Sequence, residues 1–168
     1  AVREGLSMPE EANSARVLFV CLGNICRSPT AQGVFESLAK QAGMANVQAD
    51  SCGTGDWHVG SAPDSRTTDA AAARGYAIAH LRARQLQSDD FDRFDYILAM
   101  DKANLHDVQT MSPRDCRSHV GLFMDFARDR SPAEVPDPYY GGNKGFDQVL
   151  NLVEAASAGL ILTLKARR

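Results

Sequence analysis

A thiol and a guanidinium bracket one short loop near the start of this chain. In Cys21-Leu22-Gly23-Asn24-Ile25-Cys26-Arg27-Ser28-Pro29, five residues separate Cys21 from Arg27. A strand-like run, Val17-Leu18-Phe19-Val20, delivers the cysteine, and Ser28-Pro29 opens an amphipathic segment. The backbone N–H groups of such a loop can converge on one anion, helped by the positive end of the helix that follows. Arg27 can add two parallel hydrogen bonds to phosphate oxygens. The same positive field favours a thiolate at Cys21. A thiolate held against a phosphate can attack phosphorus and form a cysteinyl-phosphate. The bare pattern of Cys, five residues and Arg also arises by chance, as a buried strand-end cysteine with a surface arginine. The strand before it and the helix after it are what make it a candidate site.

Strand and helix signals alternate along the rest of the chain. Residues 17–20 fit a buried strand. Residues 29–42 predict a helix, with Ser28 as N-cap and Pro29 at its first position. Val34, Phe35, Leu38 and Ala42 mark its apolar face, and Gly43 closes it. Residues 47–51 read as a weak second strand, 64–74 as an alanine-rich helix ended by Gly75, and 96–100 as a third strand. A helix over 101–111, a fourth strand over 119–123 and a long helix over 145–165 complete the pattern. Phe146, Val149, Leu150, Leu152 and Val153 supply the apolar face of that last helix. The alternation predicts an α/β three-layer sandwich: a central four-stranded parallel sheet with helices on both faces. Ligands in such sheets bind beyond the carboxyl ends of the strands, where Cys21 lies. The one long irregular stretch, 125–144, carries Pro132, Pro136, Pro138, Gly141 and Gly142. Long loops in compact domains are often functional.

The bulk numbers narrow the class. A chain of 168 residues, 44% hydrophobic, suits one domain, read as 16–168 after a disordered tail over 1–15. A net charge of −3 gives no bulk basic footprint for nucleic acid. No apolar run approaches the roughly 20 residues of a membrane helix, and residues 1–16 lack the apolar core of a signal peptide. Cys21, Cys26, Cys52 and Cys116 do not have the spacing of a disulfide framework. Reduced thiols in a cytoplasmic protein are expected, with signal-less export left open. There is no Cys-x-x-Cys pair, and His58, His80, His106 and His119 show no ligand spacing near cysteines. No metal and no organic cofactor is expected. The chain is expected to be a monomer or weak dimer.

Residues 17–29 resemble the signature of the low-molecular-weight protein tyrosine phosphatases. Similar stretches follow at Asp50-Ser51, Asp56-Trp57, Arg82-Ala83-Arg84-Gln85-Leu86, Phe94-Asp95-Tyr96-Ile97-Leu98-Ala99-Met100-Asp101 and Asp137-Pro138-Tyr139-Tyr140. The resemblance runs from about Arg16 to the C-terminus. It implies phosphotyrosine protein substrates, with Cys21 as nucleophile and Arg27 as phosphate ligand. Asp137 is implied as general acid for the leaving phenolate, then base on water. Read alone, Asp-Pro is a plain turn. Leu22, Gly23, Asn24, Ile25, Cys26 and Ser28 would form the phosphate-binding loop. Asn24 would take a left-handed conformation, and the Ser28 hydroxyl would face the thiolate.

By the same resemblance Ser51 and His80 hydrogen-bond to Asn24, and Asp101 orients the arginine. The alternatives are a strand-end serine, a surface histidine and a helix N-cap. Leu22, Ile25, Trp57, Tyr139 and Tyr140 would rim the pocket, aromatic walls gripping a phenyl ring. In related enzymes acting on phosphoarginine a threonine resembles the Ile25 position, so isoleucine favours an aryl group. A protein-arginine phosphatase remains the alternative, with an arsenate reductase or an inactive phosphate-binding module of the same fold as further ones. Oxidised Cys21 could be trapped as a Cys21–Cys26 disulfide. Cys52 departs from the small residue usual after the Asp-Ser pair and is expected to pack as a small apolar group.

Overall fold

The computed structural model describes residues 14–129, 132–138 and 142–167. The strands are β1 (Ala15–Cys21), β2 (Val47–Gly53), β3 (Tyr96–Ala99) and β4 (His119–Leu122). The helices are α1 (Arg27–Gln41), α2 (Ser65–Ala73), α3 (Asp90–Arg93), α4 (Lys102–Met111) and α5 (Asn143–Ala166), with a 3-10 turn at Phe123–Phe126. The four strands are parallel in the order β2-β1-β3-β4. The chain leaves β1 to one side for β2, then returns across it to β3. β1 is therefore the switch point of the sheet, and a crevice opens beyond its carboxyl end.

Alternation along β1 explains the three layers. Val17, Phe19 and Cys21 face one core, with Val34 and Phe35 of α1 and Val149, Val153 and Leu160 of α5. Leu18 and Val20 face the other, with Cys52, Leu86, Phe91, Ile97 and Val108 of α4. A strand buried on both faces has no polar position to spare, hence its unbroken apolar run. Cys52 is fully buried among these side chains, as its small apolar character suggested. The three-layer α/β sandwich expected from the alternation is the fold observed.

Element bounds differ in instructive places. β1 begins at Ala15, one residue before the expected domain edge, and residues 1–13 of the expected tail lie outside the described residues. α1 starts at Arg27 with Cys26 as its N-cap, and no side chain caps it. Ser28 is thus inside the first turn rather than the cap, because its hydroxyl is drawn to Cys21 instead. Asp64 does cap α2, accepting from the Arg66 N–H. The short α3 and the 3-10 turn carried no sequence signal long enough to register.

α5 also corrects an expectation. Its residues Lys144–Ala166 are long and apolar enough, by length and composition, to cross a bilayer. Phe146, Val149, Leu150, Val153, Ala156, Leu160 and Leu164 are buried, and the helix packs on α1, α2 and the 3-10 turn. Spacing of three and four residues puts them on one stripe, the pattern of a core helix.

Candidate active site

The 21–28 loop joins the end of β1 to the start of α1, so strand and helix fix both of its ends. Gly53, paired with Cys21 across β1 and β2, lets the loop pass close: a Cβ there would lie 2.6 Å from the Leu22 carbonyl oxygen. The Thr54 and Gly55 N–H groups donate to the Cys21 and Leu22 carbonyls, both at 2.9 Å. Asn24 has φ of +58°, the left-handed conformation expected of it. That turn points its backbone N–H at the Cys21 sulfur, 3.3 Å away.

A buried hydrogen-bond chain sets the polarity around the thiol. The Asn24 side-chain amide donates to Ser28 Oγ at 2.8 Å and to Ser51 Oγ at 3.0 Å. Its oxygen accepts the Arg84 backbone N–H at 3.0 Å. The Ser51 hydroxyl is committed to Gln32 Oε1 at 2.7 Å. Ser28 Oγ therefore accepts a hydrogen bond from Asn24, leaving its own hydrogen for Cys21 Sγ at 3.0 Å or the Cys52 carbonyl at 3.3 Å. Ser51 is where the resemblance implied. His80 is not: it is exposed, and the Arg84 N–H occupies the Asn24 oxygen in its stead. The physical reason lies in its neighbours, since Ile78 and Leu81 take the inward positions of that turn and leave His80 outward. Arg84 is itself clamped by a bidentate pair with buried Asp90, at 3.0 and 3.1 Å, and by Asp50.

Arg27 is 4% exposed. Its Nη1 donates to Asp101 Oδ2 at 2.6 Å and to the Val135 carbonyl at 3.1 Å. Burial alone would make the guanidinium easier to deprotonate. The charge of Cys21, then the hydrogen bond and charge of Asp101, outweigh it and hold Arg27 above its ordinary value. Asp101 serves twice, because its Oδ1 caps α4 by accepting the Asn104 N–H at 2.7 Å. The cap and the arginine partner are one residue. Burial pushes the Cys26 thiol up to about 11.

These groups open onto one cavity of about 250 Å³, lined by Cys21, Leu22, Gly23, Ile25, Cys26, Arg27, Trp57, His58 and Asp137. Asp137 stands at its mouth, Oδ2 4.0 Å from Arg27 Nη2, its side chain 44% exposed. Trp57 is 70% exposed and Leu22 43%, so both are rim rather than core. Tyr139 and Tyr140 lie outside the described residues. His58, Gln32 and the Val135 carbonyl were not anticipated. Adjacency to Trp57 could have found His58, and four-residue spacing from Ser28 on α1 could have found Gln32. The Val135 contact uses backbone and leaves no mark in sequence.

The comparisons with known proteins agree with this geometry. The family model described as low molecular weight phosphotyrosine protein phosphatase matches residues 16–168. A low molecular weight phosphotyrosine protein phosphatase of Schizosaccharomyces pombe is 48% identical over 142 residues, covering 83% of this chain and 90% of its own. The crystal structure of a protein tyrosine phosphatase from Entamoeba histolytica, with Hepes in its active site, superposes with a TM-score of 0.88 at 39% identity. It covers 91% of this chain and 98% of its own. A Drosophila arginine phosphatase superposes with a TM-score of 0.83 at 27% identity, covering 88% and 96% respectively. With its fold, its loop and 153 of its residues matched, this chain belongs to the low molecular weight phosphotyrosine protein phosphatase family and is a hydrolase of that class.

Proposed function

We propose that this enzyme hydrolyses phosphotyrosine in proteins through a cysteinyl-phosphate. The observation that carries the reading is the convergence of the Cys21 thiol, the Arg27 guanidinium and the Asp137 carboxyl on one cavity. The Cys21 thiolate attacks phosphorus while the phosphorus–oxygen bond to the tyrosine breaks. The Asp137 carboxyl gives its proton to the departing phenolate. Water then attacks the cysteinyl-phosphate, Asp137 takes its proton, and the thiolate leaves. Arg27 and the backbone N–H groups of the 21–28 loop hold the three equatorial oxygens where charge gathers. Asn24, Ser28, Ser51 and Asp101 hold the loop and the arginine in place. The apolar Ile25 and the exposed Trp57 indole suit an aryl leaving group.

The structural similarity to an arginine phosphatase supports a second reading, phosphoarginine as substrate. Hydrolysis of a phosphotyrosine peptide and of phosphoarginine, side by side and without added metal, separates the two. The expected result is phosphotyrosine preference, lost in Cys21→Ser and weakened in Asp137→Ala. Preference for phosphoarginine would keep the nucleophile and overturn the role given to Ile25.

The same reading supplies an off-switch. Peroxide converts the Cys21 thiolate to a sulfenic acid, and the Cys26 thiol condenses with it, releasing water. Peroxide-treated wild type should regain activity with thiol reductant. Equal recovery in Cys26→Ser would rule the disulfide out.

A further inference from the structure

Glu134 sits three residues before Asp137 and is absent from every motif that marks the site. The contacts of the 132–138 stretch with the body of the enzyme include three hydrogen bonds, beside the pair of Asp137 with Arg27. The Val135 N–H donates to the Met100 carbonyl at 2.8 Å, and the Val135 carbonyl accepts Arg27 Nη1 at 3.1 Å. The third is Glu134 Oε2, which accepts the Lys102 N–H at 2.7 Å. Pro132, Pro136 and Pro138 have no N–H to offer, which thins the backbone bonds the stretch can make, and the Glu134 carboxylate adds an acceptor to those that remain. Val135 is fully buried and fixes one point of the stretch. Glu134 adds a further point of attachment, on the α4 end and three residues from Asp137.

The place of this second anchor matters. Lys102 opens α4, and its N–H is one of those a helix leaves unpaired. A carboxylate there also meets the positive helix end. Asp101 caps the same turn and holds Arg27 with its other oxygen. One helix end thus registers the loop bearing Asp137 to the arginine beneath it.

We propose that Glu134 is a positioning residue: it sets the reach of the Asp137 carboxyl over the leaving oxygen. This rests on the reading of Asp137 as the general acid. A proton donor that has drifted matters little when the leaving phenolate is already stable and much when it is not. The loss from removing Glu134 therefore grows as the leaving phenol becomes less acidic.

The test is kcat/KM of wild type, Glu134→Ala, Glu134→Gln, Asp137→Ala and the double alanine variant, on p-nitrophenyl phosphate and on phenyl phosphate. Glu134→Ala should lose about tenfold more on phenyl phosphate than on p-nitrophenyl phosphate. Glu134→Gln, which keeps an acceptor for the Lys102 N–H, should restore most of that difference. In the Asp137→Ala background, Glu134→Ala should add no further leaving-group dependence. An equal loss on both substrates, or a further dependence without Asp137, would overturn the proposal while leaving the acid in place. If Asp137→Ala itself shows no leaving-group dependence, the acid assignment fails and the role of Glu134 falls with it.

Discussion

The two halves of the site are built differently. The 21–28 loop hangs between a strand end and a helix start, and its polar side chains are buried and paired: Asn24, Arg27 and Ser28, with Ser51 of β2 behind them, are each 4% exposed or less. The 132–138 stretch is attached through Val135 and Glu134 and presents Asp137 to solvent. On the proposed mechanism the rigid half meets a fixed tetrahedral anion, and the looser half meets leaving oxygens on varied substrates. Preorganised donors are worth most where charge develops, so rigidity belongs beneath the phosphate. Proton delivery tolerates an approach from an exposed loop, provided its anchors hold.

Substitutions can break this contrast one half at a time. After Cys21→Ser, the largest loss should come from Arg27→Lys, which removes the planar fork and leaves Asp101 and the Val135 carbonyl with a poorer partner. A fall in kcat/KM of about 10²- to 10³-fold on a phosphotyrosine peptide is expected. Retained activity would mean that the fork is not the phosphate ligand. Asp137→Asn should cost about 10²-fold, because a carboxamide is far too weak an acid to protonate the leaving phenolate. The rate of Cys21 alkylation by iodoacetate should stay as in wild type. A change there would show that the two halves are not separable.

The sequence marked the rigid half well and the looser half poorly, for a physical reason. Cys21, Asn24, Arg27, Ser51 and Asp101 act through side chains whose types are restricted by what they do. Asn24 is a case in point, since few residues other than glycine accept its positive φ. The expectation failed where backbone does the work. His80 was implied as the Asn24 partner, and an Arg84 N–H does that job. Ser28 was read both as a helix cap and, by resemblance, as the hydroxyl facing Cys21; it is not the cap, and its hydroxyl does meet the Cys21 sulfur. Val135 and Glu134 were missed because proline-rich loops carry no periodicity to locate them.

Two smaller effects sharpen the comparison through stability. Asp90→Ala leaves the Arg84 guanidinium, which stands behind the Asn24 contact, without its bidentate partner. Breaking a buried pair by removing one member should cost about 3 kcal/mol, read from denaturant unfolding. A change below about 0.5 kcal/mol would show that Arg84 finds another partner. Cys26 offers a pH-dependent probe of the rigid half. Its thiol is raised from 9.0 to about 11, chiefly by burial, so the unfolded chain ionises first. The stability this contributes is present below pH 9.0 and is lost as the pH rises towards 11. Relative to Cys26→Ala, wild type should lose on the order of 2 kcal/mol across that interval. Parallel curves would place Cys26 in contact with water.

The most direct test of the account is to catch the intermediate. Wild type and Asp137→Ala, mixed with phosphotyrosine peptide and quenched within the first turnover, would be digested and the phosphate located by mass spectrometry. A phosphate adduct on Cys21 is expected. Phosphate on any other residue, or turnover with no protein-bound phosphate at any time point, would contradict it.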